Sequence, residues 1–185
     1  MRNLKVLQHS YKSLYAAYNI SNFLSEDYLQ QLTNKTIELS NQDSMNKTTG
    51  VKANMTKYDE LLQHEEYRNL FSSVLEYLTM FLRLRDPVSS QKYRHTIFDA
   101  WGMQHFKGDY TLNHNHGHAS WSMVFYLRVP TEDTYIYFDE FNKSSLIKTN
   151  SLYVFPGMLN HSVNEHNSDI SRVSISANIK TEHIN

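Results

Sequence analysis

From about residue 94 the hydrophobic period of this chain changes from 3.6 to 2, and it stays near 2 to residue 179. An alternation of that kind sends successive side chains to opposite faces of a strand. It is read over 96–106, 111–116, 121–129, 134–138, 151–155 and 172–179. Breakers separate most of these runs: Gly108-Asp109, Gly117, Pro130, Asn142 to Ser145, and Pro156-Gly157. Short strands with turn residues between them are the pattern of a double-sheet barrel or jelly roll.

The first half carries a helical signal. SEDYLQQLTNKTIEL (25–39) opens on Ser25, a favourable N-cap, with Glu26 and Asp27 in the first turn. Tyr67, Leu70, Phe71, Val74, Leu78, Phe81 and Leu82 then recur at spacings of three and four and mark one apolar stripe. Asp86-Pro87 ends that helix, because a residue before proline disfavours the α conformation. Residues 40–57 are polar and without period, with Gly50 as a turn, and read as a loop able to cover a site. The order predicts an α+β fold in one domain over 1–185. About 1–90 would be helical support packed on one sheet, and about 94–179 a double-stranded β-helix core.

The formal charge is -1 over 185 residues, which gives no general attraction to nucleic acid or to an anionic membrane. There is no cysteine, so thiolate ligands, disulfides and cysteine nucleophiles are excluded and a metal site must use nitrogen and oxygen. No apolar run approaches the length of a membrane span, and the first residues show no leader pattern. The expected compartment is the cytoplasm.

Residues 113–127, NHNHGHASWSMVFYL, place His114, His116 and His118 at two-residue spacing, so that one strand face would carry all three unless Gly117 bends the chain first. Imidazole suits iron, zinc, nickel and copper. If two of these histidines share a metal, a third ligand must come from elsewhere, and His161 after the FPG turn is the candidate. His166 falls in a polar, looping stretch, and His9, His64, His95, His105 and His183 are scattered. In RVSISANI (172–179), Val173, Ile175, Ala177 and Ile179 form one face, and Arg172, Ser174, Ser176 and Asn178 the other. An arginine among hydroxyls points to a cavity occupied by a carboxylate, whereas the same pattern also suits an exposed edge strand.

Together these pieces resemble the iron(II)- and 2-oxoglutarate-dependent oxygenases, in their prolyl-hydroxylase-like branch. The resemblance rests on HFKGDYTLNHNH (105–116), WSMVFYLRVP, YIYFDE, SLYVFPGMLNHSV and RVSISANI, and covers about residues 94–179. It implies a double-stranded β-helix with a first histidine in an HxD or HxE motif, a distal histidine, and an arginine or lysine about ten residues later. On this chain His114 would be the first ligand and His161 the distal one. Arg172, eleven residues on, would take the 2-oxoglutarate C5 carboxylate, with the Ser174 hydroxyl beside it. Tyr126 and Asn178 would line the same cavity. His105 stands where related enzymes often have a tyrosine, and is either a cosubstrate contact or a structural strand residue.

The departure is His116, which occupies the carboxylate position. Three arrangements follow, in order of preference. His114, His116 and His161 form a three-histidine face; or a shifted register uses His116, His118 and His161; or an aspartate such as Asp139 completes the usual triad. The implied function is an oxidoreductase, a dioxygenase using Fe(II), 2-oxoglutarate and O2 to hydroxylate an unidentified small molecule or peptidyl side chain. The alternatives are a cupin-like three-histidine dioxygenase or isomerase without 2-oxoglutarate, and a non-catalytic jelly-roll binding protein.

Overall fold

The computed structural model describes residues 4–7, 17–42, 45–46 and 50–184. Its elements are β1 (Leu4–Leu7), β2 (Ala17–Ser21), α1 (Glu26–Gln42), β3 (Met45–Asn46), β4 (Asn54–Met55), α2 (Arg68–Arg85), β5 (Tyr93–His105), β6 (Thr111–His114), β7 (Trp121–Arg128), β8 (Tyr135–Phe138), β9 (Lys143–Leu146), β10 (Ser151–Pro156), β11 (His161–Val163) and β12 (Arg172–His183). They form an eight-stranded sheet, β1-β2-β10-β7-β12-β5-β4-β3, and a four-stranded sheet, β6-β11-β8-β9. The strand pairs are antiparallel. From β5 onward the chain passes repeatedly between the two sheets, with only β8 and β9 consecutive in one of them. That winding is a jelly-roll topology.

The helices answer to the large sheet through one face each. Leu29, Leu32 and Leu39 of α1, with Leu70, Phe71, Val74, Leu78 and Phe81 of α2, share a core with Ala100, Met123, Phe125, Val173, Ile175, Ala177 and Ile179. Tyr67, at the head of the expected stripe, is buried just before α2, and its hydroxyl meets Thr36 Oγ1 at 2.9 Å. Asp86 ends α2 with φ -142° and ψ 88°, and Pro87 follows. A second core, with Val124, Tyr126, Ile136, Phe138, Tyr153 and Phe155 among its members, fills part of the space between the sheets.

Several boundaries differ from the sequence reading. The stretch Asn142 to Ser145 is not all turn: Asn142 alone turns, at φ 47°, and Lys143–Leu146 forms edge strand β9 on β8. Its residues, KSSL, carry almost no apolar alternation, so only the pairing reveals it. Residues 40–57 are not one loop, since α1 runs to Gln42 and β3 and β4 pair there; 43–44 and 47–49 lie outside the described residues, as does His9. The strand read as 111–116 stops at His114, and β12 continues to His183 because β5 pairs with it along its length.

Gly102 of β5 sets the distance between α1 and the sheet. A Cβ there would sit 2.6 Å from Thr36 Cγ2. Gly102→Ala is therefore expected to destabilise the protein by about 1–3 kcal/mol, the usual cost of overpacking. Thr36→Ser removes the obstructing methyl but keeps the hydroxyl that meets Tyr67, and should recover part of that loss in chemical denaturation. No recovery in the double variant would show that the close helix approach is not the cause.

Candidate metal centre

The two sheets enclose a cavity of about 570 Å³. His114 and His161 enter it from the small sheet, where they are direct cross-strand partners on β6 and β11. Their ring centroids lie 4.3 Å apart. His116 reaches the same place from a turn, not from the strand. Its backbone N–H donates to Gly157 O at 2.6 Å, and its carbonyl accepts from Ala119 N at 2.8 Å. Its ring is 5.1 Å from that of His114 and 5.3 Å from that of His161. One ring nitrogen from each of the three falls within 4.8 Å of the others.

Gly157 of the FPG turn makes this approach possible. A Cβ at that position would meet Ala119 O at 2.3 Å and His116 O at 2.7 Å, so any side chain would push the His116 turn away. In the sequence Gly157 reads as a breaker and as the end of the FPG turn before His161. Its packing role became visible when β10 brought it against residues 116–119.

Backbone carbonyls decide which nitrogens face the cavity. His114 Nδ1 lies 2.8 Å from Leu112 O, and His161 Nδ1 lies 3.0 Å from Leu159 O. A carbonyl only accepts, so in each ring Nδ1 carries the hydrogen and Nε2 keeps its lone pair. Such an outer hydrogen bond is the usual way of orienting a ligating imidazole. Burial, then the neighbouring His114, holds His161 down to about 3. Burial, then His114 and His118, holds His116 down to about 4. Both rings are therefore neutral donors at ordinary pH.

The other two arrangements are not assembled. His118 is turned out of the group, with its side chain 63% exposed and Nε2 3.3 Å from Asn178 Nδ2. The turn at 116–119 ends the strand period before His118, so the two-residue spacing no longer means one face. Asp139 is likewise absent from the group, and its Oδ2 accepts a hydrogen bond from Asn113 Nδ2. No carboxylate joins the three histidines among the described residues.

The remaining expected residues line the cavity. Arg172, Ser174 and Asn178 come from β12, Tyr126 from β7 and His105 from β5. Arg172 is 1% exposed, and its Nε and Nη2 have no hydrogen-bond partner. Nη1 has only a long contact, 3.5 Å, to Asn164 O. Burial lowers the pKa of this guanidinium, opposed by Tyr126 and then Asp109. Burial raises that of Tyr126, keeping its hydroxyl protonated. His105 is buried against Arg172, its cross-strand partner, with Nε2 3.3 Å from Thr111 Oγ1 and Nδ1 unpartnered. The sequence reading passed over Trp101 and Asp99, which line the same cavity from β5. The alternation of that strand was the available signal.

No family model and no curated protein matches the chain. Its fold is shared with solved structures of 2-oxoglutarate enzymes and prolyl hydroxylases. A viral collagen prolyl hydroxylase from Paramecium Bursaria Chlorella virus-1, solved as a 2-oxoglutarate complex, is 16% identical, with 88% of this chain and 94% of that one covered at a TM-score of 0.66. A prolyl-4-hydroxylase from Pseudomonas putida is 12% identical over 89% and 91% of the two chains, with a TM-score of 0.67. The α-ketoglutarate-dependent epimerase SnoN of nogalamycin biosynthesis is 12% identical over 91% and 80%, with a TM-score of 0.68; it has also been solved with Fe3+ and α-ketoglutarate. At these identities the likeness is one of fold.

The buried imidazoles couple stability to pH. In the unfolded chain they take up protons near pH 6.5, but in the fold only near pH 4 for His116 and pH 3 for His161. Between those values the unfolded state binds more protons, so stability falls as pH falls. Metal-free protein should lose thermal stability from about pH 6.5 down to about 4. A His116→Gln, His161→Gln double variant should lose less across the same range. Parallel melting curves for the two proteins would contradict this assignment.

Proposed function

We propose that this protein is an oxidoreductase, an iron(II)- and 2-oxoglutarate-dependent dioxygenase working from a single domain. Its substrate is a small molecule or a peptidyl side chain. The observation that carries the reading is the Arg172 guanidinium, buried and largely unpaired in the cavity that also holds the three histidines. A buried cation without an anion is costly. A dicarboxylate that also chelates a metal supplies what both ends of the cavity lack.

The residues fit that pair. His114 and His161, through Nε2, and His116 would hold the iron. Arg172 and Ser174 would bind the C5 carboxylate, with Tyr126, Asn178 and His105 around the cosubstrate. Bound iron(II) and 2-oxoglutarate supply the oxidative decarboxylation with O2 that drives hydroxylation. The chain itself supplies orientation and exclusion of water. Three imidazoles bring no negative charge, so the cosubstrate dianion would be the main charge balance for the metal.

The all-nitrogen donor set favours one second reading, a three-histidine dioxygenase or isomerase without 2-oxoglutarate, in which Arg172 holds a substrate carboxylate. Calorimetry separates them. Under the first reading Arg172→Ala weakens 2-oxoglutarate binding by about tenfold or more and leaves metal affinity nearly unchanged. Anaerobically loaded with iron(II) and then given O2, the wild type should release succinate from 2-oxoglutarate, and His161→Ala should not. Equal loss of both ligands in Arg172→Ala would remove Arg172 from the cosubstrate site. Metal binding without 2-oxoglutarate affinity would select the second reading, and tight 2-oxoglutarate binding without turnover would select a binding protein.

A further inference from the structure

The cavity has an order along its floor. Cross-strand pairs of β12 and β5 run His105–Arg172, Met103–Ser174, Trp101–Ser176 and Asp99–Asn178. All eight residues line the cavity. The Arg172 end is closed, with Arg172 1% and His105 2% exposed. The other end is open, where the side chains of Asp99 and His118 are 28% and 63% exposed. Between the ends, the Trp101 ring lies 5.9 Å from the His116 ring. Asp99 stands two residues further along the strand, roughly 7 Å away. A guest whose reacting carbon lies at the histidines and which extends outward must pass Trp101 and reach Asp99.

Asp99 is held in a built setting. Asn178 pairs with Asp99 and Ile179 with Ile97, so β5 carries one extra residue, Phe98, at a bulge beside the carboxylate. Bulges next to sites re-aim side chains. Asn178, 2% exposed, donates Nδ2 to Asp99 Oδ2 at 3.3 Å, and its own Oδ1 accepts from Ser122 Oγ at 3.1 Å. The described contacts of the carboxylate all use Oδ2, including His118 Nε2 at 3.8 Å, and none uses Oδ1. Among the described residues lining the cavity, Asp99 is the one carboxylate.

A second observation points to a ligand here. Trp101 is 4% exposed and its Nε1 has no hydrogen-bond partner. A buried donor of that kind calls for an acceptor from outside the chain. The surrounding walls are apolar: Met55 and Met103 join Trp101 in one buried cluster, and Tyr58 stands edge-on to the indole at 5.0 Å.

We infer that the open end is the substrate subsite and that it selects an organic amine. The guest carries an ammonium on an apolar stem, with a hydrogen-bond acceptor at the inner end of the stem. Asp99 receives the ammonium, Trp101 Nε1 serves the acceptor, and the methionines and aromatic rings enclose the stem. A guest that displaces water from Asp99 must answer its charge, which a neutral donor does only in part. The identity of the reacting centre rests on the oxygenase reading, whereas the amine preference does not.

The test uses protein loaded with Ni2+ and 2-oxoglutarate, with 6-aminohexanamide as the cationic probe and hexanamide as its neutral control. By calorimetry, 6-aminohexanamide should bind about tenfold or more tightly than hexanamide. Asp99→Asn should abolish that preference while leaving Ni2+ and 2-oxoglutarate affinities unchanged. Equal binding of the two probes, binding of neither, or a preference that survives Asp99→Asn overturns the proposal. The same titrations in protein with Ni2+ alone keep the two readings apart. Failure to bind 2-oxoglutarate sinks the oxygenase reading, and the amine preference is still read directly.

Discussion

A strand buried on both faces must satisfy two environments with one alternation, and β12 is that strand. Its Val173, Ile175, Ala177 and Ile179 close the core under the helices. Its Arg172, Ser174, Ser176 and Asn178 are buried too, but they face the cavity between the sheets. Buried polar groups need partners, and along this face they are unevenly supplied. Asn178 is tied to Ser122 and Asp99. Arg172 has one long contact and two empty nitrogens. The strand is thus complete on its apolar side and incomplete at one end of its polar side. That incompleteness marks where an anion belongs.

The histidine group is organised by the same economy of burial. Desolvation keeps His116 and His161 neutral, and the Leu112 and Leu159 carbonyls fix the tautomers of His114 and His161. An aspartate at position 116 would bring a negative charge and accept hydrogen bonds from its surroundings. A histidine held neutral by burial brings no such charge, and it has one acceptor nitrogen in place of two carboxylate oxygens. The turn that carries His116 is instead held by its backbone, through Gly157 O and Ala119 N. Position 116 is therefore constrained by main-chain packing, which does not depend on the side chain it bears.

What could be seen in the sequence was whatever a local period encodes. The α2 stripe and the two faces of β12 came through because each is long and strongly periodic. Strand β9 did not, since KSSL gains its order from β8, and β11 has only three residues. His114, His116 and His161 were legible as a set, but the reason His116 belongs was not: a turn, not strand alternation, delivers it. The same turn removes His118. Asp139 looked eligible at a strand end, yet its hydrogen bond to Asn113 holds it elsewhere. Asp99 and Trp101 went unread because a single polar residue on a mixed strand has no meaning until its cross-strand partner is known.

The placement of charge in this cavity follows from these pieces. Its closed end carries a guanidinium, its middle three imidazoles, and its open end a carboxylate. Among the described residues the carboxylate expected beside the metal is thus absent from the centre, and the one carboxylate that lines the cavity stands at its mouth. Charge near a metal tunes the metal, but charge at a mouth acts on whatever enters. The two positions are linked through β5 and β12, whose pairing fixes Arg172 opposite His105 and Asn178 opposite Asp99. Shifting that register by one residue would turn one of the two strands over, sending either Arg172 or Asp99 to the helix side while the other stayed in the cavity. One strand pairing therefore sets where the Arg172 guanidinium and the Asp99 carboxylate stand relative to each other.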